Sequence, residues 1–183
     1  MSKTVVLGVT GSIAAYRAAD LCSAFAKEGT DCRVVMTRWA REFVGELTFT
    51  TLTGRPVITD DNIGALSDRP EHLALGDVAD LFLVAPATAN AIAKMAHGIA
   101  DDIVGTTYLS VTCPVLVAPA MNVRMWEHVT VRENLAALER RGVRIVPPEE
   151  GVLACGDVGM GRLAAVERIL AAAREMLAEG PRG

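Results

Sequence analysis

The chain has 183 residues, of which 51% are hydrophobic and 22% charged, which suits one compact domain with a sizeable core. Its formal net charge of -4 and pI near 5.4 argue against a nucleic-acid partner, because phosphate backbones are bound by basic surfaces. No apolar run reaches the length that spans a membrane, and the amino terminus lacks the pattern of a signal peptide. We therefore expect neither a nucleic-acid nor a membrane partner.

The four cysteines, Cys22, Cys32, Cys113 and Cys155, lie far apart in the sequence. None belongs to a CxxC pair or has a histidine at the spacing of zinc ligands. The sequence therefore predicts neither a disulfide framework nor a metal site. Free thiols are typical of a reducing compartment, so we expect the protein to be cytoplasmic.

Strand and helix signals alternate along the chain. Apolar or β-branched runs predict five strands, at Thr4–Val9, Asp31–Met36, 81–85, 115–118 and 143–146. Amphipathic or alanine-rich stretches predict helices at 13–28, 38–43, 47–52, 101–110, 127–141 and 164–178, and one that ends at residue 94. The segments 57–70 and 147–162 contain Gly, Pro, Asp or Asn and are predicted to be loops.

Helices between successive strands indicate βαβ units and a parallel sheet. The strands are apolar throughout, as in a sheet covered by helices on both faces. The sequence thus predicts an α/β fold with a three-layer, doubly wound parallel sheet of the flavodoxin or Rossmann type, formed as one domain by residues 1–183. In such folds ligands bind at the carboxyl ends of the strands.

The turn after the first strand, Thr10-Gly-Ser12, has the outline of a phosphate site. Gly11 permits a tight turn, and free N–H groups at the start of the following helix can hold an anion. Only Gly8 and Gly11 are present, so the pattern GxGxxG is absent and a mononucleotide such as FMN fits better than a dinucleotide. The same turn caps helices in many folds without phosphate. Thr37 could donate a hydroxyl to the phosphate or be an ordinary helix N-cap.

The loop Pro119-Ala-Met-Asn-Val-Arg-Met-Trp126 follows the fourth predicted strand. Plain connectors are rich in Gly, Ser and Asp, whereas this loop carries two methionines, a tryptophan and an asparagine. Its apolar side chains could simply cap the core. Its position at a strand end also makes it a candidate for ligand binding.

Three motifs together resemble the homo-oligomeric flavin-containing cysteine decarboxylases. Pro86-Ala-Thr-Ala-Asn90 resembles the family's PASANT motif, and the 119–126 loop matches its PxMNxxMW motif. Ala154-Cys-Gly-Asp-Val-Gly-Met-Gly-Arg-Leu163 is similar to the substrate-recognition clamp of the 4'-phosphopantothenoylcysteine decarboxylase branch. The resemblance extends over essentially the whole chain, with the motifs in the right order.

The resemblance implies a bound FMN. The residues implied to bind it are Gly11, Ser12, Ile13 and Thr37 around the phosphate, and Ala87, Thr88 and Asn90 near the ring and ribityl chain. In this family the flavin lies between subunits of a trimer, or of a dodecamer built from trimers. Met121 would then approach it from a neighbouring chain.

The resemblance also implies the reaction. A substrate cysteine is dehydrogenated to a thioaldehyde, and loss of its carboxylate as carbon dioxide then leaves an enethiol. His72 would be the active-site base, because an imidazole can remove a proton near neutral pH. Asn122 would hold the carboxylate. We expect His97 and His128 to be structural or exposed.

Cys155 divides the branches of the family. In the phosphopantothenoylcysteine branch a clamp cysteine helps to return electrons to the enethiol, which gives a saturated thiol. A clamp cysteine without a redox role remains an alternative. The further implied substrate contacts are Met125, Gly156, Asp157 and Arg162. The clamp then departs from the family pattern, because Leu163-Ala-Ala-Val166 lacks the usual acidic residue and proline.

The favoured interpretation is an FMN-dependent decarboxylase that converts 4'-phosphopantothenoylcysteine to 4'-phosphopantetheine in coenzyme A biosynthesis. The main alternative is a peptidyl-cysteine decarboxylase that makes a C-terminal aminoenethiol on a peptide natural product. A flavin prenyltransferase shares the fold but not the Asn-Met loop or the clamp. A regulatory protein that binds a phosphatase, or a flavodoxin-like electron carrier, would not need His72, Asn122 and Cys155 together.

Overall fold

The computed structural model describes residues 2–63, 69–152, 156 and 158–179. Its centre is a six-stranded parallel sheet. In chain order the strands of this sheet are β1 (Thr4–Val9), β2 (Asp31–Met36), β3 (Ile58–Thr59), β4 (Leu81–Ala87), β5 (Val115–Pro119) and β6 (Arg144–Ile145). A separate antiparallel hairpin, which we call the clamp hairpin, consists of β7 (Glu149–Val152) and β8 (Val158–Arg162).

Helices connect and cover the strands. They are α1 (Arg17–Lys27), preceded by a 3-10 turn at Ile13–Tyr16, then α2 (Arg38–Arg41), α3 (Glu46–Thr53), α4 (Glu71–Val78), α5 (Ala89–His97), α6 (Ile103–Ser110), α7 (Val123–Glu127), α8 (Val129–Arg140) and α9 (Val166–Glu179). Among the described residues, no helix is both long and apolar enough to cross a bilayer.

Alternate side chains of the central strands enter two separate cores. Val5, Leu7 and Val9 of β1 pack with α1, α3 and α9 on one face of the sheet. Val6 faces the other side, where α4, α5, α6 and α8 supply the apolar partners. The central strands β1, β4 and β5 are buried on both faces because helices cover both, which explains why their sequences are largely apolar. The predicted three-layer, doubly wound parallel fold is confirmed.

The strand order is β3-β2-β1-β4-β5-β6. The chain winds from β1 to one edge of the sheet and then returns to β4 on the other side of β1. Neighbouring loops therefore diverge between the carboxyl ends of β1 and β4, which opens a crevice for a ligand. The turn at residues 10–12, the start of α5 and the loop after β5 all lie at this edge.

Several predicted boundaries were wrong. The predicted loop 57–70 contains β3, which extends the sheet beside β2, and two residues are too few to show a strand pattern. The predicted helix 13–28 begins as a 3-10 turn. The helix predicted at 127–141 is α8, which starts at Val129, while residues 123–127 of the predicted loop form α7.

Helix α4 was not predicted at all. It contains Gly76, which weakens a helical pattern. A Cβ at this position would lie 2.7 Å from the carbonyl oxygen of Ser110. The missing side chain therefore allows α4 and α6 to pack closely, so that packing offsets the low helix propensity of glycine.

The predicted long loop 147–162 is also wrong, because it contains the clamp hairpin. Its glycines resemble loop residues in the sequence, but two of them have a packing role. Added Cβ atoms on Gly159 and Gly161 would collide with Val123 and with the carbonyl oxygen of Met121. Gly161 also has a φ of 150°, which favours glycine. The hairpin can therefore lie flat against the loop after β5.

Candidate active site

Thr10 joins the carboxyl ends of β1 and β4. Its hydroxyl donates to the carbonyl oxygen of Pro86 at 2.7 Å and accepts from the backbone N–H of Thr88 at 3.0 Å. The side chain is 1% exposed, so both hydrogen bonds are shielded from water. Thr10 thus fixes the phosphate-site turn relative to the start of α5.

The crevice beside this joint forms a cavity of about 620 Å³, which we call the switch-point cavity. Three elements that follow strand ends contribute to it: the turn after β1, the start of α2 and the start of α5. Its lining residues are Thr10, Gly11, Thr37, Arg38, Trp39, Asp60, Thr88, Ala89, Asn90, Ala91, Lys94, Asp101, Asp102 and Met125.

A second cavity of about 390 Å³, the hairpin cavity, lies on the other side of the turn. The clamp hairpin covers it. Its lining residues are Ser12, Ile13, Ala14, Tyr16, Ala120, Met121, Asn122, Val152, Gly161, Arg162 and Leu163. Gly11 and Ser12 line different cavities, so this turn lies between the two.

The structure sorts the predicted site residues into these two cavities. Gly11, Thr37, Thr88, Asn90 and Met125 line the switch-point cavity. Ser12, Ile13, Met121, Asn122 and Arg162 line the hairpin cavity. Met125, predicted as a substrate contact, therefore shares a cavity with the predicted cofactor residues.

Of the predicted residues that the structure describes, Ala87, Gly156 and His72 line neither cavity. Ala87 ends β4 with its side chain in the core, and its carbonyl oxygen accepts from the N–H of Ala120. Gly156 is exposed. Cys155 and Asp157 lie outside the described residues.

His72 is half-buried in the first turn of α4. Helix α4 precedes β4 and packs against α6. His72 lines neither cavity within the described chain. His97 shares a hydrogen bond with Asn134, and His128 caps α8, as expected for structural histidines.

Thr37 carries an orphaned polar atom. Its Oγ1 is buried and has no hydrogen-bond partner in the described chain. It precedes α2, but its side chain makes no capping hydrogen bond, so its role as an ordinary N-cap is not supported. A buried hydroxyl without a partner is costly, which indicates a ligand group in the adjoining cavity. A phosphate oxygen would satisfy it.

The turn is built to admit such a group. An added Cβ on Gly11 would overlap the Cβ of Trp39, so only glycine lets α2 approach this closely. Ser12 caps the 3-10 turn by accepting from the N–H of Ala14 at 3.2 Å. Thr88 caps α5 by accepting from the N–H of Ala91. The positive end of the nine-residue α5 therefore faces the cavity.

A charged cluster forms the far wall of the switch-point cavity. Lys94 pairs with Asp101 at 2.5 Å and with Asp102 at 2.8 Å. Burial alone would lower the pKa of Lys94, but these two hydrogen bonds outweigh it and raise the pKa. Asp60 accepts from the N–H of Ile103 at 2.6 Å, and burial raises its pKa. No group of three metal-binding side chains occurs in the described ranges.

Asn122 is the N-cap of α7, and its Oδ1 accepts from the N–H of Arg124 at 2.8 Å. Trp126, which ends the motif, is 8% exposed and carries the guanidinium of Arg132 at 5.0 Å from its ring. The motif therefore has two functions in the structure. Trp126 anchors it in the core, as one reading of the sequence proposed, while Met121, Asn122 and Met125 face the cavities.

Sequence reasoning missed several residues that shape the site. Arg38, Trp39, Asp60 and Lys94 all line the switch-point cavity. Arg38 and Trp39 directly follow Thr37 at a strand end, and that position was the available signal. Nothing in the sequence pattern pointed to Asp60, because it lies in a predicted surface loop.

The clamp hairpin is held at its base by Glu149. This carboxylate accepts from the N–H of Ala165 at 3.1 Å, from Arg168 at 2.9 Å and from Arg162 at 3.3 Å. The backbone hydrogen bond and the two arginines hold the pKa of Glu149 below its usual value. Arg162, predicted as a substrate contact, is thus partly engaged within the protein.

The flavoprotein family model matches residues 1–178. The chain belongs to the flavoprotein family. This membership confirms the resemblance inferred from the three motifs. It also agrees with the geometry, since the carboxyl edge of the sheet carries a cavity with an orphaned hydroxyl and a helix amino terminus.

Two relatives illustrate the similarity in sequence. The coenzyme A biosynthesis bifunctional protein CoaBC of Bacillus subtilis is 44% identical over 178 residues, which are 97% of this chain and 44% of the relative. The chain thus spans less than half the length of the CoaBC proteins it matches. The probable phosphopantothenoylcysteine decarboxylase of Streptococcus mutans is 43% identical over 182 residues, 97% of this chain and 100% of the relative.

Three solved structures are similar to this chain over almost its whole length. A mutant of PPC decarboxylase complexed with pantothenoylaminoethenethiol aligns with a TM-score of 0.90 and 29% identity, covering 97% of this chain and 100% of that chain. The FMN-dependent cysteine decarboxylase SpaF aligns with a TM-score of 0.84 and 34% identity, covering 96% of this chain and 97% of that chain. The FMN-binding protein AtHal3 aligns with a TM-score of 0.87 and 29% identity over 100% of both chains.

Proposed function

We propose that this chain is an FMN-dependent cysteine decarboxylase that converts 4'-phosphopantothenoylcysteine to 4'-phosphopantetheine in coenzyme A biosynthesis. The observation that carries the proposal is the 43% identity, over 97% of this chain and 100% of the relative, to a probable phosphopantothenoylcysteine decarboxylase. The decarboxylase activity would reside in a single domain of residues 1–178 or more, the range that the flavoprotein model matches.

FMN fits the residues of the switch-point cavity. Its phosphate would lie against the Gly11 turn and accept from the orphaned Thr37 hydroxyl. The start of α5 at Thr88 and the side chain of Asn90 would contact the ribityl chain and ring. When bound, FMN supplies a reversible two-electron oxidation of the substrate.

The protein residues would bind the substrate and move protons. Asn122 would hold the carboxylate at the hairpin cavity, because a neutral amide binds it without a strong ion pair that opposes release of carbon dioxide. The imidazole of His72 would remove a proton as the base. In the reductive half of the reaction, Cys155 would deliver a proton to the enethiol as electrons return from the flavin.

The site would be completed between copies of the chain. His72 lines neither cavity in the described part of one chain. Exposed apolar side chains surround the cavities, including Ile13, Tyr16, Trp39, Met125 and Val152. We propose a trimer, or a dodecamer built from trimers, in which Met121 and His72 reach a flavin bound to a neighbouring chain. A cytoplasmic location would suit the biosynthetic activity.

A second candidate is decarboxylation of a peptide that ends in cysteine. SpaF, a cysteine decarboxylase, is 34% identical to this chain and the PPC decarboxylase mutant 29%. The segment Leu163-Ala-Ala-Val166 also lacks the acidic residue and proline expected after the clamp of the first branch. These features favour a test of both substrates.

The test offers each substrate to the purified protein and measures the product mass. Loss of carbon dioxide alone from phosphopantothenoylcysteine is the expected result. If that compound is inert while a cysteine-ended peptide loses carbon dioxide and two hydrogens, the peptide activity replaces the first proposal.

A Cys155→Ser variant should stop at the oxidised enethiol, whereas unchanged saturated product would exclude Cys155 from the reductive step.

A further inference from the structure

Among the residues that the structure describes, Arg38 is a cation at the switch-point cavity without an acidic partner. It lines the cavity beside Thr37, and no carboxylate in the described chain pairs with it. Lys94, the other cation in the lining, is already paired with Asp101 and Asp102. Among the described lining residues, only the guanidinium of Arg38 is thus free to bind an anion.

The excess of carboxylates in the switch-point cavity makes the free guanidinium of Arg38 important for binding an anion. Three carboxylates line it, on Asp60, Asp101 and Asp102, against the two cations. A phosphate monoester carries a charge of about -1.5 to -2 at pH 7. Without Arg38, such a group would enter a cavity where carboxylates outnumber cations three to one. Helix amino termini alone contribute only partial charges.

The backbone brings Arg38 to the phosphate-site turn. The Cβ of Trp39 fills the space that a side chain on Gly11 would take, so the start of α2 packs directly on the turn. Thr37, one residue before Arg38, carries the buried hydroxyl without a partner. Two independent features, the unsatisfied hydroxyl of Thr37 and the unpaired guanidinium of Arg38, therefore lie next to each other in the cavity lining.

We propose that Arg38 binds the phosphate of the cofactor and gives the cavity its selectivity for a flavin mononucleotide over riboflavin, the same flavin without phosphate. The planar guanidinium can donate two parallel hydrogen bonds to phosphate oxygens. This inference rests on the proposed FMN dependence and adds to it the residue that distinguishes the phosphorylated cofactor.

The experiment measures binding rather than turnover. Purified protein is stripped of flavin and titrated with FMN and with riboflavin, using the flavin fluorescence. We expect Arg38→Gln to weaken FMN binding about ten- to hundredfold, the range of a hydrogen-bonded charge, and riboflavin binding less than about twofold. Arg38→Lys should fall between, because lysine keeps the charge but lacks the two-pronged geometry.

Arg140→Gln is the matched control. Arg140 is exposed in the last turn of α8, lines neither cavity and has no ion pair in the described chain. It removes the same charge and should leave both affinities unchanged. The wild-type preference for FMN should also decline with added salt, and Arg38→Gln should flatten that dependence.

The possible outcomes distinguish the proposed role of Arg38 from the proposed FMN dependence. Equal affinity of wild type and Arg38→Gln for FMN would overturn the role of Arg38 while leaving FMN dependence intact. Equal weakening of FMN and riboflavin would also overturn it, because the effect would then not involve the phosphate. If the wild type binds neither flavin, the proposed function fails first. Matched melting temperatures of the flavin-free variants show that each remains folded.

Discussion

The backbone N–H of Met121 donates to the carbonyl oxygen of Gly161 at 2.9 Å. This bond joins the clamp hairpin to the loop that carries Asn122. The contact is possible because residue 161 has no side chain, since a Cβ there would overlap the carbonyl oxygen of Met121. The position of the hairpin over its cavity therefore depends on a glycine next to Arg162.

Gly161→Ala should release the hairpin from this loop. The new methyl group cannot be accommodated without moving the backbone, and the φ of 150° adds strain for alanine. We expect a loss of about 1–3 kcal/mol in the free energy of unfolding and faster hydrogen exchange at Met121. Gly45→Ala is the control, because φ is -70° there and an added Cβ meets nothing within 4 Å. Equal effects of the two substitutions would refute the docking role.

Thr37→Val should have opposite effects on stability and on cofactor binding. The hydroxyl is buried without a partner, so its removal should leave the flavin-free protein as stable or up to about 1 kcal/mol more stable. FMN binding should weaken about tenfold, because the phosphate loses a donor. Thermal unfolding without flavin and fluorescence titration with FMN measure the two effects.

Thr107→Val is the matched control for that substitution. Thr107 carries the other orphaned hydroxyl found in the described chain, is 0% exposed and lies on α6 outside the cavity lining. It should change the stability of the flavin-free protein as Thr37→Val does, with FMN affinity unaltered. A similar loss of FMN affinity in both variants would show that the Thr37 hydroxyl makes no specific contact.

The fold was predictable because most of its central strands are long and largely apolar. Thr4–Val9 and Asp31–Met36 have the bounds that the sequence indicated. Elements defined by packing were missed, as Gly76 in α4 and Gly161 in β8 illustrate. A glycine that permits close approach and a glycine that breaks an element look alike in a sequence, so only the facing carbonyl oxygens distinguish them.

The candidate site was partly predictable because the ends of the strands can be located in the sequence. Residues at strand ends, such as Gly11 and Asn122, could be assigned to one edge of the sheet. The division into two cavities could not be predicted, because it depends on how the hairpin docks. Nor could the contribution of Asp60, which reaches the site through its hydrogen bond to the start of α6.

Thr10→Val should destabilise the joint between β1 and β4. The substitution keeps the shape of the side chain but removes the hydroxyl, which leaves the Thr88 N–H without its acceptor. We expect a loss of about 1–3 kcal/mol in urea unfolding, because the group is buried. Thr10→Ser keeps both hydrogen bonds and should cost less. A serine variant as unstable as the valine variant would attribute the effect to packing.

Glu149→Gln should weaken the clamp hairpin in a pH-dependent way. The pKa of Glu149 is lowered in the folded state by the Ala165 N–H and by Arg168 and Arg162. Its ionised form therefore contributes stability at neutral pH, and this contribution is lost as the pH falls below the ordinary glutamate value towards the lowered pKa. We expect a cost of about 1 kcal/mol at pH 7 that shrinks as the pH falls below the ordinary glutamate pKa. The control is Glu150→Gln, on an exposed neighbour without an ion pair in the described chain. A cost independent of pH would refute the ionic role.

His72→Asn should keep bound FMN and lose turnover, because asparagine preserves a polar side chain in the first turn of α4 but cannot accept the proton. We expect the decarboxylation rate to fall about a hundredfold or more, measured by product mass with phosphopantothenoylcysteine, while the flavin absorbance of the purified protein is unchanged. His128→Asn is the matched control. His128 accepts from the N–H of Thr130 as the cap of α8, and asparagine is itself a good N-cap, so activity should be retained. Full activity in His72→Asn would remove this residue from the mechanism, whereas loss of both FMN and activity would identify it as a structural residue of the cofactor site.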